Sequence, residues 1–389
     1  MKRTIHMTLI FLLITLCFAL MHYYCYNRIC FYFGLTGNAR KTVAGLALFF
    51  MLFIIAWMPY IRHLPLQYAK IVGWIIYPWI GTLVLAFITF VAGDLFTGTL
   101  FFTMKPALQD ESRRAFIKQV LGFVMIGTIG GLSALSLRNG MRPAQVKEVR
   151  ITLKRLPEAF NGFHIVQITD LHVGPTHDGL WTEHVVEKTN ALNPDLIVLT
   201  GDFVDGEVAR IGKFIAPLGK LRARHGVYFI TGNHEYYSGV DEWVEFIKGL
   251  GIHALMNASV PLTVDGRTIY LAGTEDYESK KFPGHGEDLD KALAACGKDE
   301  PVILLAHQPV TVIEAAKKGV DLQLSGHTHG GQIRPFDYAV RLRQPYIAGL
   351  YQHPDSNTQI YVSSGTGYWG PPMRLGTASE ITSIKLVRG

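Results

Sequence analysis

Five short segments carry oxygen and imidazole donors straight out of what read as buried strands. Ile168-Thr169 leads into Asp170-Leu171-His172, and Leu199-Thr200 into Gly201-Asp202-Phe203-Val204-Asp205. Ile230-Thr231 leads into Gly232-Asn233-His234-Glu235, Leu305-Ala306 into His307, and Leu324-Ser325 into Gly326-His327-Thr328-His329-Gly330-Gly331. Open α/β sheets collect ligands in the crevice beyond the carboxyl ends of their strands, so five such ends imply one shared site. Aspartate, asparagine and histidine without cysteine suit moderately hard divalent ions such as Mn²⁺, Fe²⁺ or Zn²⁺. In Asp170-x-His172, alternate residues leaving an extended strand face the same way and can reach one ion. The same holds for His327-x-His329, although two ions could share that pair. A single zinc site needs three or four donors; this set exceeds that and suggests two ions. Two ions ~4 Å apart can clamp a phosphoryl group while a water between them becomes the nucleophile.

Positioning these donors falls to short apolar strands alternating with helices. Val146–Leu153, Phe163–Thr169, Leu196–Thr200, Val227–Thr231, Thr268–Ala272, Val302–Ala306 and Leu322–Ser325 read as strands, with later ones at Gln359–Ser363 and Ile381–Val387. Between them Trp181–Leu192, Ile211–Leu221, Val240–Leu250, Leu289–Ala295 and Val310–Lys318 read as helices. That alternation predicts a buried sheet flanked by helices.

The first part of the chain is of another kind. Residues 7–27, 42–61, 71–93 and 119–137 form four nearly uncharged runs, each long enough to cross a hydrocarbon core as a helix. The third contains Pro78, and its apolar character continues past Asp94 to Met104, which leaves room for a short re-entrant segment or second crossing. One such run would be a signal peptide, but four are architecture. The domain organisation expected is a transmembrane region over residues 1–137, a linker over 138–145 and one α/β domain over 146–389.

Composition supports this division. The 389 residues are 49% hydrophobic with a net charge of +6 and a mean hydropathy of +0.21. The small basic excess is not gathered into a stripe, so no nucleic-acid partner is expected. Cys17, Cys25 and Cys30 lie in or beside the first apolar run and Cys296 stands alone, which excludes a disulfide framework and thiolate zinc sites. Lys2 and Arg3 favour a cytoplasmic amino end, whereas Arg28, Arg40 and Lys41 favour the opposite. Ser112-Arg113-Arg114-Ala115-Phe116-Ile117-Lys118, just before the fourth run, resembles a twin-arginine export signal, and would make that export machinery a partner and the domain extracytoplasmic.

In order over residues 170–331, DLH, GDFVD, GNHE, H and GHTHGG resemble the motifs of the calcineurin-like metallophosphoesterases. The membrane-associated start and the stretches Tyr361–Gly365 and Gly370–Gly376 look closer to the bacterial branch of YaeI- and YkuE-like phosphoesterases. The resemblance covers roughly residues 146–389 and implies a four-layer α/β/β/α sandwich. It also implies that Asp170, His172 and His329 hold one ion, that Asp202 bridges both through its two oxygens, and that Asn233, His307 and His327 complete the second. His234 matches the histidine that contacts phosphate and protonates the leaving oxygen, and Asp205 the residue that orients it. Glu235 stands where many relatives have aspartate, which puts the geometry of that loop in question but not the metals. Arg374, His177 and Trp369 are candidates for substrate contact, with Tyr368 as part of an aromatic wall. His164, His225, His253, His285 and His353 read as ordinary core or surface residues.

The activity expected is therefore dinuclear metal-dependent hydrolysis of a phosphoester by a multi-pass protein of the bacterial inner membrane. A phosphodiester, possibly lipid-linked, is the substrate class favoured, because the domain is tied to a bilayer. The alternatives are a cytoplasmic-side pyrophosphatase of the UDP-2,3-diacylglucosamine type in lipid A synthesis, and a non-catalytic metal-binding module of a membrane transport or assembly protein. Against the latter, no run carries a charge deep in its interior of the sort that marks a transport path.

Overall fold

The computed structural model describes residues 2–61, 63–103 and 110–389. The chain divides into two compact units, residues 1–137 and 138–389.

The first unit is formed from α1 (Lys2–Phe33), α2 (Gly37–Trp57), α3 (Leu66–Thr103) and most of α4 (Glu111–Gly140). Among the described residues, α2, the Leu66–Thr99 part of α3 and α4 are long and apolar enough to cross a membrane. They present Leu48, Phe49, Phe123 and Val124 on exposed surface, as a lipid-facing wall requires. The re-entrant segment envisaged after Asp94 is not formed as far as Thr103, because α3 runs unbroken through both Pro78 and Asp94; residues 104–109 lie outside the described set. Continuation past Asp94 is stable because its carboxylate is satisfied. Tyr24 Oη donates to Oδ2 at 2.6 Å, Tyr32 Oη donates to Oδ1 at 2.9 Å, and Arg28 Nη1 stands 3.2 Å from Oδ2.

α4 also runs further than the expected linker boundary, stopping at Gly140. Gly140 and then Pro143 are the first residues that oppose helix there. Only Met141–Ala144 separates α4 from the first strand.

The second unit holds twelve strands: β1 (Gln145–Leu153), β2 (His164–Ile168), β3 (Leu196–Thr200), β4 (Val227–Ile230), β5 (His253–Ala254), β6 (Ala258–Val264), β7 (Arg267–Gly273), β8 (Val302–Leu305), β9 (Leu322–Ser325), β10 (Gly349–Gln352), β11 (Gln359–Val362) and β12 (Glu380–Arg388). They form two six-stranded sheets, ordered β1-β12-β2-β3-β4-β5 and β10-β11-β9-β8-β7-β6. β2 to β5 are parallel in one sheet, and β7, β8, β9 and β11 in the other.

Residue alternation explains the layering. From β2, β3 and β4, Val166, Ile168, Ile197, Leu199 and Phe229 pack against α5 (Gly179–Asn190), α6 (Val208–Ile215) and α8 (Val240–Gly249), reached through Val185, Ile211, Ile215 and Trp243. The intervening residues Ile165, Leu196 and Val198 meet Leu271, Ile303, Leu322 and Leu324 of the opposite sheet. Leu304 and Ala272 on the far side pack under α9 (Leu289–Leu293) and α10 (Val312–Lys317). The fold is the α/β/β/α sandwich, preceded by a helical membrane region. β2, β3, β4, β8 and β9 all end at the same rim.

Candidate dinuclear metal centre

The loops leaving β2 and β3 stay paired beyond the sheet. Asp170, His172 and Val173 donate their backbone N–H to the carbonyls of Gly201, Asp202 and Phe203, and Asp205 donates back to Val173. Parallel pairing of these two loops sets His172 and Asp205 side by side, with Nδ1 3.3 Å from Oδ1. Asp170, His172, Asp202, His327 and His329 all adopt positive φ, between 49° and 71°. Left-handed backbone at a residue with a side chain costs of order 1 kcal/mol or more and persists where the surroundings over-determine it. Here it turns each donor off its strand into the crevice. Gly232 and Gly326 serve close approach instead: a Cβ on either would lie 2.2 Å from an oxygen of Asp202 or Asp170 respectively.

The donors converge in two triads, Asp170–His172–His329 and Asp202–His307–His327. In the first, His172 Nε2 lies 3.0 Å from His329 Nε2, and His329 Nε2 lies 3.4 Å from Asp170 Oδ1. In the second, His307 Nε2 lies 3.1 Å from Asp202 Oδ2. That same oxygen is 3.8 Å from His172 Nε2, while Asp202 Oδ1 accepts the backbone N–H of His234 at 2.8 Å. One carboxylate oxygen rather than two therefore faces both triads, because a backbone amide occupies the other.

These residues fit a pair of cations. His307 Nδ1 lies 2.7 Å from the carbonyl of Thr200, so Nδ1–H donates there and Nε2 presents a lone pair to a carboxylate. His172 is held the same way by Asp205. Asn233 Oδ1, His307 Nε2 and His327 Nδ1 are buried without a hydrogen-bond partner. Acceptors facing acceptors in a dry crevice are costly unless a cation lies between them.

Without a cation among the donors, Asp202 and Asp170 outweigh burial and hold His307 well above the usual histidine range; His329 and His327 behave differently. Burial holds His329 well below the usual histidine range and His327 down to about 3, with the neighbouring imidazoles adding to both, so both present neutral rings. Burial would also depress His234, but Asp202 and Asp205 outweigh it and push the ring up to about 9. Burial raises Glu235 to about 7, helped by Asp202.

Glu235 does more than its sequence position suggested. Its carboxylate accepts the backbone N–H groups of Gly232, Asp202 and Phe203 at 2.7–2.9 Å. The longer side chain ties the loop after β4 to the loop after β3.

Residues 163–331 match the calcineurin-like phosphoesterase family. The chain is 39% identical to a transmembrane protein with metallophosphoesterase domain from Danio rerio, over 78% of this chain and 70% of that one. A Bos taurus protein of the same description is 42% identical over 71% of this chain and 64% of its own length. The metallophosphoesterase YkuE of Bacillus subtilis is 31% identical over 72% of this chain and 99% of its own. The chain belongs to the calcineurin-like metallophosphoesterases.

This metallophosphoesterase is a multi-pass membrane protein whose α/β domain carries a metal-dependent phosphoesterase active site with a dinuclear donor set. Beside the triads, His234 Nδ1 stands 2.5 Å from Asp205 Oδ1, so Asp205 touches both His234 and His172. Trp369 is 52% exposed and its ring lies 6.2 Å from that of His234. Tyr237, missed in the sequence, flanks His234 at 5.4 Å. The signal was available, since the two are three residues apart on the short helix α7 (Asn233–Tyr237) and share a face.

Two expected substrate contacts are corrected. Arg374 is wholly buried. Its Nη1 and Nη2 donate to the carbonyls of His329, Ser364, Gly365, Gly367 and Ala378, so it braces the crevice from behind instead of facing substrate. His177 is 4% exposed, its ring stacked on Trp181 and packed at a tilt against Tyr368. Tyr368 is likewise buried and belongs to this packing.

Proposed function

We propose that this protein is a membrane-tethered phosphodiesterase of the bacterial branch that includes YaeI- and YkuE-like phosphoesterases, with its active domain outside the cytoplasmic membrane. The observation that carries the reading is the pairing of two donor triads with an adjacent histidine whose ring is fixed by a carboxylate. In this reading Asp170, His172 and His329 would hold one ion, Asn233, His307 and His327 the other, and Asp202 would serve both. Two divalent ions bound there supply charge neutralisation of the phosphoryl oxygens and activation of water.

The chain's own residues do the rest. His234 has Nδ1 committed to Asp205, which leaves Nε2 to donate a proton to the departing oxygen. Asp205 fixes the tautomer and raises the basicity of the ring. Exposed Trp369 and Tyr237 offer apolar surface beside that leaving group. The organisation proposed is a transmembrane region over 1–137 and a catalytic domain over 146–389.

The deciding experiment incubates purified, Mn²⁺-loaded protein with alkyl and aryl phosphodiesters, phosphomonoesters and nucleotide-linked lipids. Preferential cleavage of diesters is expected, whereas cleavage confined to the nucleotide-linked lipid would replace this reading with the pyrophosphatase. Protease accessibility of the domain in spheroplasts, before and after changing Arg113 and Arg114 to lysine, tests its side of the membrane and the role of the export machinery.

A further inference from the structure

The membrane unit contains a groove of about 1130 Å³ between α1, α2 and α3, lined by none of the metal-centre donors. Most of its lining is apolar, including Leu20, Met21, Phe31 and Phe87, yet Arg28 and Arg40 also face it and, among the described residues, no Asp or Glu does. Lipid tails need no arginines, and a groove that served only as a lipid-facing surface would not place two there. Asp94, on the protein side of Arg28, balances only one of them. Arg28 Nε is buried with no hydrogen-bond partner, and Arg40 commits only its Nε–H, to Tyr26 Oη.

The groove's long axis fits one leaflet. Its polar end lies at Gly34–Thr36, the turn joining α1 to α2, and such a turn belongs at the membrane surface, where its backbone can be hydrated. Its apolar end reaches Cys17. From Arg28 to Cys17 along α1 is ~16 Å at ~1.5 Å per residue, about half of a ~30 Å hydrocarbon core.

We infer that this groove is a binding site for one anionic phospholipid, its headgroup phosphate against Arg28 and Arg40 and one acyl chain along α1 toward Cys17. The site is independent of the phosphodiesterase reading. Native mass spectrometry of the full chain in detergent, exchanged with equimolar phosphatidylglycerol and phosphatidylcholine, tests it. One phosphatidylglycerol should be retained per chain under activation that strips phosphatidylcholine.

Arg40→Gln, which leaves the Arg28–Asp94 pair intact, should weaken that retention about fivefold, as expected for one basic side chain at an anionic surface. Leu20→Trp, at an exposed position of the groove wall, should abolish retention by filling the apolar part, with phosphoesterase activity unchanged. Equal retention of the two lipids by the unaltered protein would overturn the inference, as would retention indifferent to both substitutions or displacement of the lipid by millimolar inorganic phosphate.

Discussion

Two clusters of polar side chains, one in each unit of this molecule, are satisfied in opposite ways. In the membrane unit His22 has both ring nitrogens occupied, Nδ1 by the carbonyl of Phe18 and Nε2 by Trp79 Nε1–H, and Asp94 has both oxygens occupied by Tyr24, Tyr32 and Arg28. At the metal centre Asn233 Oδ1 and His327 Nδ1 are buried with no hydrogen-bond partner, and His307 Nε2 faces only the Asp202 carboxylate at 3.1 Å. A buried polar atom left unpaired costs about 1–3 kcal/mol, so several of them in one crevice make sense where a ligand completes the pairing. Neither polar burial nor a single unpaired atom such as Arg28 Nε identifies a functional site; several metal-ligating atoms converging unpaired on one crevice do.

The strongest test of that contrast is Asp202→Asn. It removes the charge that faces both triads, so both ions should be lost on dialysis and turnover should fall below detection. Metal analysis showing two ions retained, with near-normal activity, would end the bridging assignment.

His234→Ala comes next. It should leave metal content intact and slow cleavage of an alkyl phosphodiester by about 10²–10⁴-fold, the usual worth of general acid assistance. An activated aryl diester, whose leaving oxygen needs little protonation, should lose far less. Equal losses on both substrates would point to electrostatic stabilisation instead of proton donation.

On the other side of the comparison, Asp94→Asn should leave metal content and kcat unchanged while lowering the stability of the full chain in detergent by about 1–3 kcal/mol. A loss of activity at full metal occupancy would show that the satisfied cluster is not merely structural.

A pH-dependent effect concerns Glu287, whose carboxyl is raised to about 7 chiefly by burial and accepts a hydrogen bond from Thr311. Its raised value means the folded state holds a proton that the unfolded chain has given up. This contribution is full below pH ~4.5 and is lost as pH rises through about 7. Glu287→Gln should flatten the decline in stability between those values, by no more than ~1.4 kcal/mol per pH unit. Parallel denaturation curves for the two proteins across that range would contradict it.

The donors were legible in the sequence because Asp, Asn and His just beyond four- to five-residue apolar strands have no place in a core. Leu196–Thr200 and Leu322–Ser325 were read with their observed bounds for the same reason. β6 was missed although Asp265 and Gly266, both at positive φ, form the kind of two-residue turn that joins paired strands. Pro261 obscured it, and is tolerated because β6 is an edge strand. The role of Glu235, the burial of Arg374 and the partners of Asp94 were not legible, since each depends on contacts between residues 30 or more positions apart, or on which side of a loop faces solvent.

Arg374 and β12 also bear on when the centre can form. Every donor to the two triads lies between Asp170 and His329, yet the carbonyl behind His329 is held by a guanidinium 45 residues further on. β12, the last strand, lies between β1 and β2 in the first sheet. On the ribosome, a nascent chain that has already emitted every metal donor still has β1 and β2 unjoined and the loop of His329 unbraced. Completion of the centre therefore depends on residues well beyond its last donor, as far as Arg374 and β12.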